Sequence, residues 1–272
     1  MDDFSKLCIH TFTNKPWTLD QCIENYAREG VKGISIWRNV LEGHDLKELK
    51  GKLQGANIDI VSLVRGGFFP SAIKEDRLSA IEDNKRLLEQ AAILEAPLIV
   101  LVCGADGRQS LETSREQIFE GISELLPLAE ETGVKLAIEP LHPMYAGDKS
   151  AINTLQQAND MVSRLDSPFV GVAIDVYHLW WDPSLKSEIK RCGEMNKIFA
   201  FHICDWRVPT LDFLTDRGLM GDGCIPIKKI RGWVEEAGFS GYNEVEIFSD
   251  TYWAMDQQAY LKKIKEAYLK HS

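Results

Sequence analysis

Eight short runs of apolar residues recur along the chain, each followed by a longer amphipathic stretch. The runs are LCIHT (7–11), GISIW (33–37), IDIVSLV (58–64) and LIVLVC (98–103), then KLAIEP (135–140), VGVAID (170–175), IFAFHIC (198–204) and NEVEIF (243–248). Nearly continuous Ile, Val, Leu and Ala over such lengths suits parallel strands covered on both faces. The intervening stretches carry helix signals. Thr18 is an N-cap for LDQCIENYARE, which stops at Gly30. A longer helix is predicted over about 72–95, others after Ser110 and Asn153, and one near Pro226. Three strands are announced by a helix end and a glycine, in AREGVKG, AEETGVK and EEAGFSG. Glycine there supplies the left-handed stop that turns the chain back toward the sheet.

Eight strand-then-helix units with no Pro, Ser or Gly linker between them predict a single (β/α)8 barrel spanning 1–272. An open doubly wound sheet is the rival. It is disfavoured because no strand is followed by a dinucleotide fingerprint; LVCGADG contains glycines but not the spacing.

Composition narrows the function. The 272 residues are 44% hydrophobic and 26% charged, with a formal net charge of −10. That balance argues against nucleic acid, whose partners carry a basic face, and favours a small neutral or weakly charged substrate. Six scattered cysteines without a C-x-x-C pair read as reduced thiols. No run approaches a membrane span, and MDDFSK is too polar for a secretory signal, so a cytoplasmic location is expected.

In such barrels the active site forms at the carboxyl ends of the strands. Four late strand positions stand out there: Glu139, Asp175, His202 and Glu246, on the fifth to eighth runs. A carboxylate within an apolar strand is costly unless paired or bound to a metal. Three of them with an imidazole on one mouth call for a divalent cation: Mn²⁺ by preference, or Mg²⁺, Co²⁺ or Zn²⁺. The alternative explains each separately, as a strand-end ion pair or a satisfied core histidine.

The segments AIEPLHP, VAIDVYHLWW, FHICD and VEIF, in that order, resemble the xylose isomerase-like sugar phosphate isomerase/epimerase superfamily. The resemblance covers essentially the whole chain. It implies that Glu139, Asp175, His202 and Glu246 bind one divalent metal. It further implies that Glu139 and Glu246 face each other across the substrate, one removing an α-proton and the other returning it. The metal would stabilise the enediolate between those steps. Asp175 and His178 match the D-x-x-H element, whose histidine contacts substrate, and His142 is a second expected hydrogen-bond partner, or an ordinary loop histidine. GDGCIPI, with Gly221 and Gly223, matches a glycine-rich segment of the family.

Six of seven tryptophans fall at or beyond strand ends: Trp17, Trp37, Trp180, Trp181, Trp206 and Trp253. Phe68 and Phe69 follow the third strand. Flat rings suit the C–H faces of a sugar or cyclitol, with two or three touching ligand, Trp180 among them, and the rest packing loops or a subunit interface. Arg65, Arg207 and His10 also sit at strand ends. Arg207 and His10 are candidate substrate contacts, and either arginine can bind a hydroxyl, carboxylate or phosphate, with a surface ion pair as the alternative. Asp205, Asp212, Asp216 and Asp222 make an unphosphorylated sugar the expectation.

Function is therefore expected to be isomerisation or epimerisation of a sugar or cyclitol. The alternative is a lyase or dehydratase that expels a leaving group from a keto-sugar or 3-keto-glycoside at the same metal site; the extended EPLHPMYAGDK and YHLWWDP segments keep it open. DNA repair of the endonuclease IV type needs further ligands on strands two to four, which end in Trp37, Val64 and Cys103. A non-catalytic scaffold would need the quartet to be vestigial. A homo-oligomer is compatible with the sequence, which does not fix its order.

Overall fold

In the computed structural model, which describes residues 3–272, the eight apolar runs pair in parallel and close on themselves. The first seven are β1 (Leu7–His10), β2 (Gly33–Trp37), β3 (Asp59–Gly67), β4 (Leu98–Val102), β5 (Lys135–Ile138), β6 (Val170–Asp175) and β7 (Ile198–Ile203). Two short strands, β8 (Asp205–Trp206) and β9 (Arg217–Gly218), form a separate antiparallel ribbon above the barrel. The last barrel strand is β10 (Asn243–Val245), which pairs with β7 on one side and β1 on the other. The order around the barrel is β1-β10-β7-β6-β5-β4-β3-β2. The predicted (β/α)8 barrel is the observed fold.

The helices follow from local sequence. Thr18 caps α1 (Leu19–Arg28) with a full capping box, its hydroxyl accepting from Gln21 N and the Gln21 side chain accepting from Thr18 N. Ser110 caps α4 (Leu111–Thr132). Between these lie α2 (Leu46–Gly55) and α3 (Lys74–Leu94), the latter two residues shorter at its start than predicted. Thr154, not Asn153, caps α5 (Leu155–Leu165). The outer ring continues with the one-turn α6 (Val176–Leu179), α7 (Leu185–Glu194) and α8 (Ile227–Glu236). The chain closes with α9 (Asp250–Trp253) and α10 (Gln257–His271). Gly30, Gly133 and Gly238 take φ of +75°, +73° and +96°, the helix stops read from the sequence.

Strand alternation decides what faces the barrel axis. Ile9, Ile36, Leu63, Leu101, Ile138, Ile174, Ile203 and Val245 join the large core between sheet and helices. The intervening positions therefore point inward. They include a small inner core of Trp37, Val64, Leu98, Val100, Ala137, Ala173 and Ala200. Two residues beyond those three alanines stand Glu139, Asp175 and His202. Their inward aim is the period of two continued by one step.

Strand ends differ in detail from the apolar runs. β3 continues to Gly67, where φ is +105° and a Cβ would lie 2.0 Å from Val102 O, so only glycine fits this approach to β4. The regular ladder of β10 stops at Val245, three residues before the apolar run ends, yet Glu246 N still donates to Ile203 O at 3.2 Å. That bond keeps Glu246 in strand register and aims it at the axis. No described helix is long and apolar enough to cross a membrane.

Candidate active site

At the carboxyl end of the barrel, Glu139, Asp175, His202 and Glu246 each present a ligand atom within 4.8 Å of the others. They are 3%, 0%, 0% and 3% exposed, so water does little to screen them. His202 Nδ1 lies 2.9 Å from Glu139 Oε1, and His202 Nε2 has no hydrogen-bond partner. Asp175 caps the one-turn α6 through Tyr177 N at 2.7 Å, leaving its other oxygen toward the cluster.

Two buried residues that strand-end reading missed complete the electrostatics. Arg217, from the β8–β9 ribbon, reaches down so that Nη1 donates to Glu246 Oε2 at 2.9 Å and to Asp175 Oδ2 at 3.3 Å. Its Nη2 lies 3.4 Å from His178 Nε2, and its guanidinium sits over the rings of Tyr177 and Phe248. Glu244 lies one inward step below Glu246, its Oε2 accepting from the Ser35 hydroxyl at 2.6 Å and lying 3.2 Å from His10 Nε2. Glu244 and Glu246 alternate in NEVEIF, and that spacing was a usable signal. Arg217 gave none, because a loop ribbon rather than a strand end delivers it.

The buried groups of the site shift one another's protonation in both directions. Burial pushes Asp175 up to about 7, against the opposing pull of Arg217. Burial also works against charge on His202, but Glu244 and Glu139 overcome it and push the imidazole up to about 10. Burial and the neighbouring Arg217 hold His178 well below the usual histidine range. A neutral His178 accepts from Arg217 through Nε2, which leaves its Nδ1 hydrogen without a partner. Three carboxylates and an imidazole whose neighbours draw in protons form a donor set that fits a hard or borderline divalent cation.

Above the quartet opens a cavity of about 630 Å³, whose lining includes Glu139, His178, Arg217 and Glu246 as well as Trp37, Arg65, Phe68 and Trp253. Two of the six strand-end tryptophans line it. Phe68 joins them, whereas Phe69 is buried in the core against Gly121.

Four expected substrate contacts lie outside this lining. His10 is fully buried beneath the site, with Nδ1 3.1 Å from Glu246 Oε1 and Nε2 3.2 Å from Glu244, so it braces carboxylates from below. His142 packs between Trp181 and Trp206. Trp180 packs against Trp206. Arg207 pairs with Asp216 across the ribbon at 2.9 Å, the ion-pair alternative.

None of the four aspartates after β7 lines the cavity. Asp205 accepts from the backbone of Trp206, Gly221 and Ile225, while Asp212 accepts from Leu214 and Thr215. Asp216 is taken by Arg207, and Asp222 by the Tyr252 hydroxyl. The charge argument against an anionic substrate is thereby reduced to Asp212, which acts on Lys149 at the cavity edge, and to Asp250 on the lining. GDGCIPI has a local role here: Gly221 takes φ of +95°, and a Cβ on Gly223 would collide with Trp206 O.

A family model described as xylose isomerase-like TIM barrel matches residues 23–267. The chain belongs to that family. An inosose isomerase from Halalkalibacterium halodurans is 26% identical over 271 residues, covering 96% of this chain and 94% of the relative. Among solved structures, a protein from Sinorhizobium meliloti 1021 superposes with a TM-score of 0.94 at 43% identity, over 98% of each chain. The IOLI protein, solved with a bound zinc atom, superposes with a TM-score of 0.85 at 26% identity, over 97% of this chain and 96% of that one.

Proposed function

We propose that this family member is a divalent-metal-dependent isomerase or epimerase of sugars or cyclitols. The observation that carries the reading is the convergence of Glu139, Asp175, His202 and Glu246 on one buried point at the floor of a sugar-sized cavity. The isomerase name of the H. halodurans relative and the zinc in the IOLI structure support it.

Glu139, Asp175, His202 and Glu246 would hold the ion, with manganese favoured. When bound, a divalent ion supplies polarisation of a carbonyl and of the adjacent hydroxyl, which acidifies the intervening C–H. Glu139 and Glu246 directly follow β5 and β10, the two end strands of the arc that carries the quartet. One carboxylate takes the proton from the carbon beside the carbonyl, and the other delivers a proton to the opposite face or the neighbouring carbon. Against the opposing effect of burial, His10 first and Arg217 second hold Glu246 in place and keep its carboxylate ionised. His178, neutral and on the cavity wall, offers a hydrogen bond to a substrate hydroxyl. Trp37 and Trp253 supply apolar walls that exclude water.

The test is ¹H NMR in D₂O on a panel of ketoses, aldoses, inososes and 3-keto-glycosides with Mn²⁺. Deuterium is expected at the carbon next to the carbonyl, EDTA abolishing the exchange and Mn²⁺ or Co²⁺ restoring it. An enone or a released aglycone would transfer the assignment to a lyase. Full exchange by metal-stripped protein would overturn metal dependence.

A further inference from the structure

The upper wall of the cavity carries a second recognition element. Among the described residues, Arg65 is the only arginine with neither a hydrogen bond nor an ion pair. It is half-buried at the end of β3, with its guanidinium over Phe68 at 4.7 Å and Trp37 at 5.7 Å. Five N–H donors on a partly desolvated, always-charged group are costly to leave unmatched.

Arg65 has company. Lys15, after β1, lies over Trp253 at 4.4 Å and Phe12 at 5.4 Å, and has no carboxylate partner among the described residues. Lys149 lies over Tyr145 at 4.5 Å but pairs with Asp148 at 4.0 Å. Arg38 also lines the cavity but is spent on Asp83. Asp250, the other acid on the lining outside the quartet, takes the Thr215 hydroxyl. In a chain with 41 acidic and 31 basic residues, the cavity lining thus holds two cations, Arg65 and Lys15, without an acid partner among the described residues.

Their placement is directional. Around the barrel, β1 lies opposite β5 and β3 lies opposite β7. Lys15 and Arg65 therefore face the half that carries Glu139 and His202. A ligand whose carbonyl reaches the quartet extends its far end toward Arg65.

We propose that the substrate is a keto-sugar or keto-cyclitol bearing one anionic substituent, a carboxylate or a phosphate, held by Arg65, with Lys15 adding positive charge on the same cavity. This rests on the isomerase reading for the carbonyl end only. A planar guanidinium over aromatic rings presents its N–H edge to two oxygens of such a group, a pairing that a neutral polyol cannot match.

The test is calorimetric binding to Mn²⁺-loaded protein at low salt, using three compounds that lack a carbonyl and are not turned over: sorbitol, gluconate and sorbitol 6-phosphate. At least one anion is expected to bind about ten-fold or more tightly than sorbitol. In Arg65→Gln that preference is expected to vanish, and in Arg65→Lys to return in part. A preference confined to gluconate assigns a carboxylate, and one confined to sorbitol 6-phosphate assigns a phosphate. Equal affinity for all three, or a preference that survives Arg65→Gln, overturns the proposal. Arg65 has no bonded partner to orphan, and because it packs over Phe68 and Trp37 a thermal melt of each variant separates lost binding from lost folding. Because no turnover is involved, absence of proton exchange on every sugar would sink the isomerase reading without touching this result.

Discussion

The two halves of the barrel mouth are built by different rules. On β5, β6 and β7 an inward alanine is followed, two residues on, by Glu139, Asp175 or His202. On β2, β3 and β4 the uppermost inward positions are Trp37, Val64 and Val102, and the charges above them arrive on loops or at the strand terminus, as Lys15, Arg38 and Arg65. The small alanines leave room for three polar side chains to lean toward one point. The larger residues opposite fill the axis and raise a wall of rings. Buried strand positions fix atoms to fractions of an ångström, as metal ligation and proton transfer demand. Cations over aromatic faces are positioned more loosely, which suits gripping the far end of a ligand.

Breaking the charged half at its base has the largest expected effect. Glu246→Gln retains a ligand oxygen but cannot accept a proton, so metal content stays near one ion per chain while kcat falls by about 10²–10⁴-fold. Near-normal turnover in that variant removes Glu246 as the base. Arg217→Met removes the fixed counter-charge of Asp175 and Glu246, and metal-free protein should lose about 3–5 kcal/mol of stability. Added Mn²⁺ should recover most of that loss in a thermal melt, because the same carboxylates gain another cation. An equal loss with and without Mn²⁺ would show Arg217 to be structural alone.

The alanines give the comparison its sharpest form. Ala173→Val crowds the space beneath Asp175, costs about 1–3 kcal/mol and should weaken Mn²⁺ binding at least ten-fold. Val100→Ala, two strands away on β4, should cost a similar amount through the cavity it opens while leaving Mn²⁺ affinity within about two-fold. Isothermal titration reads both, and equal losses of affinity would dissolve the distinction between the halves. Smallest of all, Arg207→Ala opens only the ribbon pair with Asp216, with about 1 kcal/mol or less expected by denaturant titration and no change in kcat.

Most of the charged half was legible in the sequence, because strand alternation is a local rule. KLAIE, VAID and FAFH each carry alanine, an outward apolar residue and then the functional group, so eight apolar runs sufficed to bring Glu139, Asp175, His202 and Glu246 together. The wall was less legible. Arg65 and Arg207 look alike in sequence, each just past a strand, yet only Arg207 finds an acid, Asp216, which the ribbon folds opposite it. Arg217 enters from that ribbon, and which strand end it meets depends on how the loop packs on Tyr177 and Phe248. His10 and Glu244 sit one layer too deep for a rule that looks only at the rim. His142 and Trp180 lie on loops above β5 and β6, where no strand period fixes direction.

The claim on which everything else depends is that four side chains from β5, β6, β7 and β10 share one ion. Diffraction from crystals soaked in Mn²⁺, collected near the manganese edge, tests it directly. The account predicts one strong anomalous peak bonded to Glu139, Asp175, His202 and Glu246. A peak bonded to other residues, or no peak among these four at saturating Mn²⁺, would contradict it.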